Sequence, residues 1–421
     1  MRRGFYTIMA AQFCSSLADN ALFVAAVQLL RTNGSAPWQQ AALVPMFALF
    51  YVVLAPFVGA FADSLPKGRV MLLSNFIKIA GCLLMLLDVH PLMAYALVGL
   101  GAAAYSPAKY GILTELLPAS QLVKANGWIE GLTIGSIILG VVLGGQLVGP
   151  RCAPWLLRLD IPGLDTAPLA AIAVLVGVYL LATWFNTGIP NTGVALCPVP
   201  TPIGSLLSDF WVCNVRLWRD KLGQISLAAT TLIWGVAGNL RFIVLAWAAA
   251  ALDYSVTQAS TLQGVVAIGM AAGAVMASLR MRLEDGPGVV DVGIAMGVLI
   301  VLLIFVNNVW VAVPFLILLG ALGGFMVVPM NALLQHRGHN LMGAGRSIAV
   351  QNFNEQACIL VLGAFYSLST GLGLPTFSAI AFFGTIVAGF MWWIRRWHAN
   401  NCIHAHAEVE RLLTIARNDD S

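Results

Sequence analysis

Residues 5–30 read FYTIMAAQFCSSLADNALFVAAVQLL, and the reading of this stretch decides the fold class. A helix of ~20 apolar residues crosses a hydrocarbon core of ~30 Å, and this stretch is longer than that. It carries one charge, Asp19. Its polar residues Gln12, Ser15, Ser16, Asp19 and Asn20 recur at helical spacing and fall on one face. A charge at the bilayer centre costs ~3 kcal/mol or more. That face must therefore meet protein or a wet cavity rather than lipid. Met1-Arg2-Arg3 precedes the stretch as it would in a signal peptide. However, the apolar run is too long for such a leader and no small-x-small cleavage site follows, so a retained first span is expected.

The rest of the chain repeats this pattern. Further apolar stretches cover about 40–62, 69–88, 91–115, 122–149, 168–189, 224–250, 258–281, 289–307, 309–335, 343–370 and 374–395. Of the 421 residues 59% are hydrophobic and 10% charged, where a soluble domain carries ~25% charged. The mean hydropathy is +0.86. The expected fold is all-α, a polytopic membrane protein with twelve transmembrane helices. Glycines such as Gly135, Gly140, Gly144 and Gly145 suit close helix packing in lipid.

Charge orients the spans, because cytoplasmic loops collect Lys and Arg. With both termini inside, only Arg31, Arg151 and Arg158 of the 22 basic residues fall in outer loops. Lys78, Lys109 and Arg241 fall within spans, and all others are inside. Trp38, Trp155, Trp310, Trp392 and Trp393 lie near span ends, as interfacial aromatics do. The seven cysteines have no paired spacing, so a disulfide framework is not expected. His404, His406 and Glu408 read as a solvated tail rather than a metal site. No cofactor, metal or nucleic acid is expected.

The chain divides into two related halves. Residues 1–189 form a first six-helix bundle, 223–398 a second, and 399–421 a cytoplasmic tail. The linker 190–222 opens with Pro190, Pro198, Pro200 and Pro202, which oppose helix. Ile203, Leu206, Leu207, Phe210, Trp211, Trp218 and Leu222 then recur at mostly helical spacing beside Arg216, Arg219 and Lys221. This predicts an amphipathic helix lying on the membrane surface. At an offset of 222 residues Gly101 and Pro107 match Gly323 and Pro329. The same offset sets Asp19 opposite Arg241, Lys109 opposite Asn331 and Glu130 opposite Asn352. Parallel repeats of six spans place a substrate site between halves near midplane.

The intramembrane charges are the candidate site. Helix rise puts Asp19 ~21 Å, Arg241 ~25 Å and Glu355 ~18 Å from the cytoplasmic starts of their spans, with Lys109 ~9 Å from the inner end of its own. An outer cluster of Asp19, Arg241 and Glu355 is expected, with Lys109 below it and Asn20, Gln351 and Asn352 on the same faces. A structural salt bridge between halves is the alternative. Lys78 is expected to snorkel to the cytoplasmic interface, and Glu130 to lie in the inner cavity near Lys109.

The loop Gly59-Ala-Phe-Ala-Asp63-Ser-Leu-Pro-Lys67-Gly68-Arg69 resembles the signature loop of the major facilitator superfamily, with one extra residue between Asp and Gly. That resemblance implies a latch on the cytoplasmic gate, carried by Gly59, Asp63, Lys67 and Arg69. Gly101-Ala-Ala-Ala-Tyr-Ser-Pro-Ala-Lys-Tyr-Gly-Ile-Leu-Thr-Glu115 with Leu122-Val-Lys-Ala-Asn-Gly127 resembles the bacterial lysophospholipid transporters of that superfamily. So do Asp19-Asn20-Ala-Leu22, Val328-Pro-Met-Asn-Ala-Leu-Leu-Gln335, Gly343-Ala-Gly345 and Ile348-Ala-Val-Gln-Asn352. Some of these stretches recur in transporter domains fused to acyltransferases; here the transporter part alone is expected.

The resemblance implies movement of lysophosphatidylethanolamine and lysophosphatidylglycerol from the outer to the inner leaflet of the bacterial inner membrane. It implies no ATP and a monomer. It also implies re-acylation by a cytoplasmic acyltransferase–acyl-carrier-protein synthetase (Aas), and roles for Asp19, Lys109, Arg241 and Glu355. A proton-coupled exporter of drugs or metabolites is the alternative. An enzyme is not expected: no His has an Asp four residues beyond it for general-base work. No phosphate-binding Gly-rich loop is present in the sequence either.

Overall fold

A computed structural model describes residues 3–35, 37–158, 161–198, 204–254 and 256–418 of the chain. The side chains of Arg3, Trp38 and Arg241 lie outside the described residues, as do Arg2, Pro200, Pro202 and Ile203 altogether. Among the described residues the structure is helical, without strands.

The helices follow the hydropathy pattern. In chain order they are α1 Arg3–Thr32, α2 Pro37–Val53, α3 Ala55–Ser64, α4 Lys67–Leu86, α5 Pro91–Leu116, α6 Ala119–Val148, α7 Ala153–Leu157 and α8 Ala167–Thr187. Then come α9 Ser205–Arg219, α10 Gly223–Leu252, α11 Val256–Arg280, α12 Val290–Leu302, α13 Val309–Met342, α14 Ala344–Gly371, α15 Thr376–His404 and α16 His406–Asn418. Every expected span is helical. Among the described residues, eight helices are long and apolar enough to cross a membrane, or ten if each of two bent pairs is one span. The remaining two expected spans are α5, which carries Lys109, and α14, which carries Gln351, Asn352 and Glu355.

Local chemistry explains the departures from regular helix. The second expected span is broken into α2 and α3, bent by 65°. Pro56 sits in the first turn of α3, where it supplies no N–H to continue the ladder from α2. The tail is not simply solvated: α15 runs on to His404, and α16 buries Val409, Leu412 and Ala416 while Arg417 pairs with Glu284.

The chain forms two compact units. One comprises Met1–Leu116, Leu132–Trp211 and Gly343–Val350; the other comprises Leu117–Gly131, Val212–Met342 and Gln351–Ser421. The core of the first draws Ala18, Leu22 and Leu29 from α1, Cys82 and Met85 from α4, Tyr95 and Val98 from α5, and Leu175 and Tyr179 from α8. In the second, α11 and α13 meet backbone to backbone. A Cβ on Gly273 would fall 2.0 Å from the Ala321 carbonyl oxygen, and one on Gly324 2.0 Å from that of Met270.

The α1–α6 contact uses the same device. A Cβ at Gly144 would lie 2.6 Å from the Ala21 carbonyl oxygen, whereas at Gly145 nothing lies within 4 Å. Gly144→Val is therefore expected to cost ~1–3 kcal/mol through overpacking, and Gly145→Val to be neutral. Thermal unfolding of the two purified variants in detergent checks this; equal melting temperatures would contradict the packing.

Candidate functional site

Among the described residues, three polar networks bear on the expected site. The first lies in the core of the first unit. Asp19 of α1 accepts hydrogen bonds from Lys78 Nζ of α4 at 2.7 Å and from Tyr179 Oη of α8 at 2.6 Å. Lys78 Nζ also donates to Ser15 Oγ at 3.0 Å, and Ser15 Oγ donates to Asn75 Oδ1 at 2.8 Å. The ammonium lies 4.9 Å from the Tyr105 ring centroid and 5.8 Å from that of Tyr179. Lys78 fits because position 101 is glycine: a Cβ there would lie 2.6 Å from Lys78 Cγ.

This corrects the expectation that Lys78 snorkels. It is 1% exposed, because a carboxylate one helix away compensates its charge better than a long reach to the interface would. Asp19, expected to pair with Arg241 and Glu355, has its cation in Lys78. The Arg241 side chain is outside the described residues. Asn20, half-buried, donates to the Ser16 carbonyl oxygen. Lys109, buried on α5, donates to Thr133 Oγ1 at 3.1 Å and stands 4.7 Å over the Tyr110 ring.

The second network is centred on Asp63, at the end of α3. Its carboxylate accepts the backbone N–H groups of Gly345 at 2.7 Å and Arg346 at 2.9 Å, the first residues of α14. Lys67 Nζ reaches the same carboxylate at 2.8 Å and Glu115 Oε1 at 3.2 Å. Arg346 Nε donates to Asp209 of α9 at 2.8 Å. Orphan N–H groups and the dipole at a helix start favour an anion. Three glycines make the approach possible. Gly343 turns the chain with φ +92°, a Cβ on Gly345 would lie 2.6 Å from Asp63 Oδ1, and one on Gly59 would lie 2.8 Å from Ala349 Cβ.

Of the residues expected to form the gate loop, Gly59, Asp63 and Lys67 lie in this network. Arg69 differs: it is exposed, and its guanidinium makes no hydrogen bond or ion pair among the described residues. Glu115, Asp209 and Arg346 were not singled out as part of this loop. Their ties to it span long chain separations, which periodicity cannot register.

The third network lies in the second unit, on α6, α13 and α14. Gln351 Nε2 donates to Asn331 Oδ1 at 2.9 Å and to Glu355 Oε1 at 2.7 Å. Asn331 Nδ2 faces Glu130 Oε1 at 3.4 Å. One helical turn away Asn126 and Gln335 exchange two hydrogen bonds of 2.9 Å. Glu130 and Glu355 are both buried. Among the described residues the one hydrogen-bond partner of Glu355 is the neutral amide of Gln351. Asn352, half-buried, lies beside Gln351 on α14.

Comparison with known proteins adds the family. The sequence model of the Major Facilitator Superfamily matches residues 8–354. The chain is 40% identical over 376 residues, 89% of each chain, to the Lysophospholipid transporter LplT of Yersinia enterocolitica serotype O:8 / biotype 1B. It matches that of Yersinia pestis (strain Pestoides F) to the same extent. Among solved structures, the human organic anion transporter MFSD10 (TETRAN) shares the fold with a TM-score of 0.72 at 15% identity, over 94% of this chain and all of that one. The FucP transporter does so at 0.70 and 15% identity, over 93% of this chain and 98% of its own.

Removing one partner of a buried ion pair costs ~3–5 kcal/mol, because the other is left uncompensated. Asp19→Ala and Lys78→Ala should each lower the melting temperature sharply, while the double variant should be less destabilised than the sum of the two. Strict additivity in that cycle would show that the two groups are not coupled.

Proposed function

Since the chain belongs to the major facilitator superfamily, we propose that it is a multi-pass lysophospholipid transporter. The observation that carries the substrate is the 40% identity, over 89% of each chain, to the Yersinia proteins of that name. In this reading lysophosphatidylethanolamine and lysophosphatidylglycerol move from the outer to the inner leaflet by alternating access without ATP. The protein works as a monomer in the bacterial inner membrane, with both termini cytoplasmic. Aas restores the second acyl chain.

The physical demand falls on the headgroup, since the single acyl chain stays in lipid if the helices part sideways. Glycine-rich stretches of α6 and α14 are candidates for that opening. A phosphate calls for a cationic donor, and the planar fork of Arg241 suits it. An ethanolamine ammonium calls for a carboxylate. Asp19 is already matched by Lys78, whereas Glu355 is held by one neutral amide. Glu355 is therefore the carboxylate assigned to the ammonium, with Gln351 orienting it. Asp19 positions α1, and Lys109, Asn20 and Asn352 line the path. Asp63, with Lys67, Gly59 and the start of α14, forms the latch that must release when the cytoplasmic side opens. The bundle boundaries at 189 and 223 and the surface placement of α9 belong to the same reading.

Leaflet-resolved flipping in proteoliposomes tests it. Arg241→Ala should abolish transport of both lysolipids at normal expression, because the phosphate is common to both. Glu355→Gln should slow lysophosphatidylethanolamine at least tenfold more than lysophosphatidylglycerol, which lacks the ammonium; ~1.4 kcal/mol corresponds to each tenfold. Normal flipping by the Arg241 variant, or equal loss of both substrates on Glu355→Gln, would overturn these roles. Collapse of flipping on dissipating a proton gradient would favour the exporter reading.

A further inference from the structure

We propose that the far end of α15 carries a binding site for an acidic phospholipid, separate from the three networks above. Trp392, Trp393, Arg396, Trp397, Asn400 and Ile403 line a cavity of about 690 Å³. That volume is in the range of sites for organic ligands. Arg396 lies twenty residues past the start of α15. At ~1.5 Å per residue this is ~30 Å along the helix, the thickness of the hydrocarbon core. The cavity thus sits at headgroup level. On the orientation proposed above, the leaflet is the cytoplasmic one.

Interfacial tryptophans are common at span ends, but this group is organised further. Trp218 of α9 stacks on Trp397, with ring centroids 6.3 Å apart and planes within 5°. Trp393 packs against Trp397 at 5.2 Å. The indole N–H of Trp218 donates to Asn354 Oδ1 at 3.3 Å, so Trp397, which lines the cavity, stacks on a ring that is itself held by a hydrogen bond. Trp392 and Trp393 are half exposed and Ile403 is 75% exposed, which leaves apolar surface for acyl chains.

The charge at this site is specific too. The Arg396 guanidinium lies 5.6 Å from the Trp392 ring centroid and has no carboxylate partner among the described residues. Its neighbour Arg395 has one, Asp291, at 3.0 Å. An unpaired guanidinium laid on an indole and an exposed amide at Asn400 are donors without acceptors. A phosphate oxygen supplies the acceptor, and guanidinium–phosphate pairs are strong, directional bonds. Tails lying on the tryptophans complete the fit, so the occupant is a lipid.

Native mass spectrometry of the purified full-length protein tests this with added phosphatidylglycerol and phosphatidylcholine of matched chains. Phosphatidylglycerol should bind at lower concentration than phosphatidylcholine. Arg396→Gln should weaken phosphatidylglycerol about tenfold, the scale of one charge-assisted contact. Arg395→Gln, which removes the same formal charge one residue away, should change it less than twofold. Arg396→Lys should fall between wild type and Arg396→Gln, which guards against a folding defect in the latter. Equal affinity for the two lipids, or equal loss in the two glutamine variants, would overturn the proposal. The readout involves no transport, so this outcome is independent of the transporter reading.

Discussion

A lysine ammonium and an aspartate carboxylate 2.7 Å apart, deep among apolar helices, set the terms for the first unit. Inside hydrocarbon neither charge is tolerable alone. Together they need a third and fourth partner to use their remaining hydrogen-bonding capacity, and Tyr179 and Ser15 supply it. This ties α1, α4 and α8 to one point. Alanines surround that point on α1, at positions 18, 21, 25 and 26, and glycine stands at 101 on α5. The small residues are a consequence of the pair: helices must come close for a short Asp and an inward-pointing Lys to meet.

The second unit has a buried ion pair of its own, Arg337 with Asp220 at 2.6 Å, but handles Glu130 and Glu355 by other means. Those two carboxylates are strung together by amides of Gln351 and Asn331 rather than by a tyrosine–lysine clasp. An amide can donate to one group and accept from another, so such a chain can be rewired by a rotamer change. An ion pair like that of Asp19 and Lys78 cannot be rewired without stranding a charge. The rigid network thus suits a fixed framework, and the adaptable one suits contact with a ligand that comes and goes.

How much of this was legible in the sequence depends on distance along the chain. The polar stripe Gln12, Ser15, Asp19 was plain, because its spacing is local. Helix positions followed from hydropathy, and the broken second span could have been inferred from Pro56. The Asp63 loop was recognisable by its residues. Its partners at 345 and 346 were not, because nothing local distinguishes a glycine at a helix start from a glycine in a bundle. Lys78 was misassigned for the same reason. Judged by depth alone, a lysine eight or nine residues into a span reads as a snorkelling group; only the fold reveals a carboxylate 59 residues earlier in sequence. Arg396 and Arg395 were indistinguishable by sequence, and one Asp291 separates them.

The contacts of Asp63 have the strength that the proposed latch demands. Two backbone N–H groups and Lys67 hold its carboxylate, and each charge-assisted hydrogen bond contributes ~1.5–3 kcal/mol net. Opening to water would replace most of that, because water hydrates the carboxylate and the freed N–H groups alike. Conformations that exchange during function differ by a few kcal/mol. Asp63 has a buried cation in Lys67, as Asp19 has in Lys78, but Lys67 lies only four residues along the chain and need not part from Asp63 when α14 moves. In the proposed latch, a carboxylate resting on a helix start that water could reach would hold firmly enough to bias the equilibrium and loosely enough to let go. On the proposed reading the same residue type, aspartate, would serve as a permanent tie at position 19 and as a releasable one at position 63.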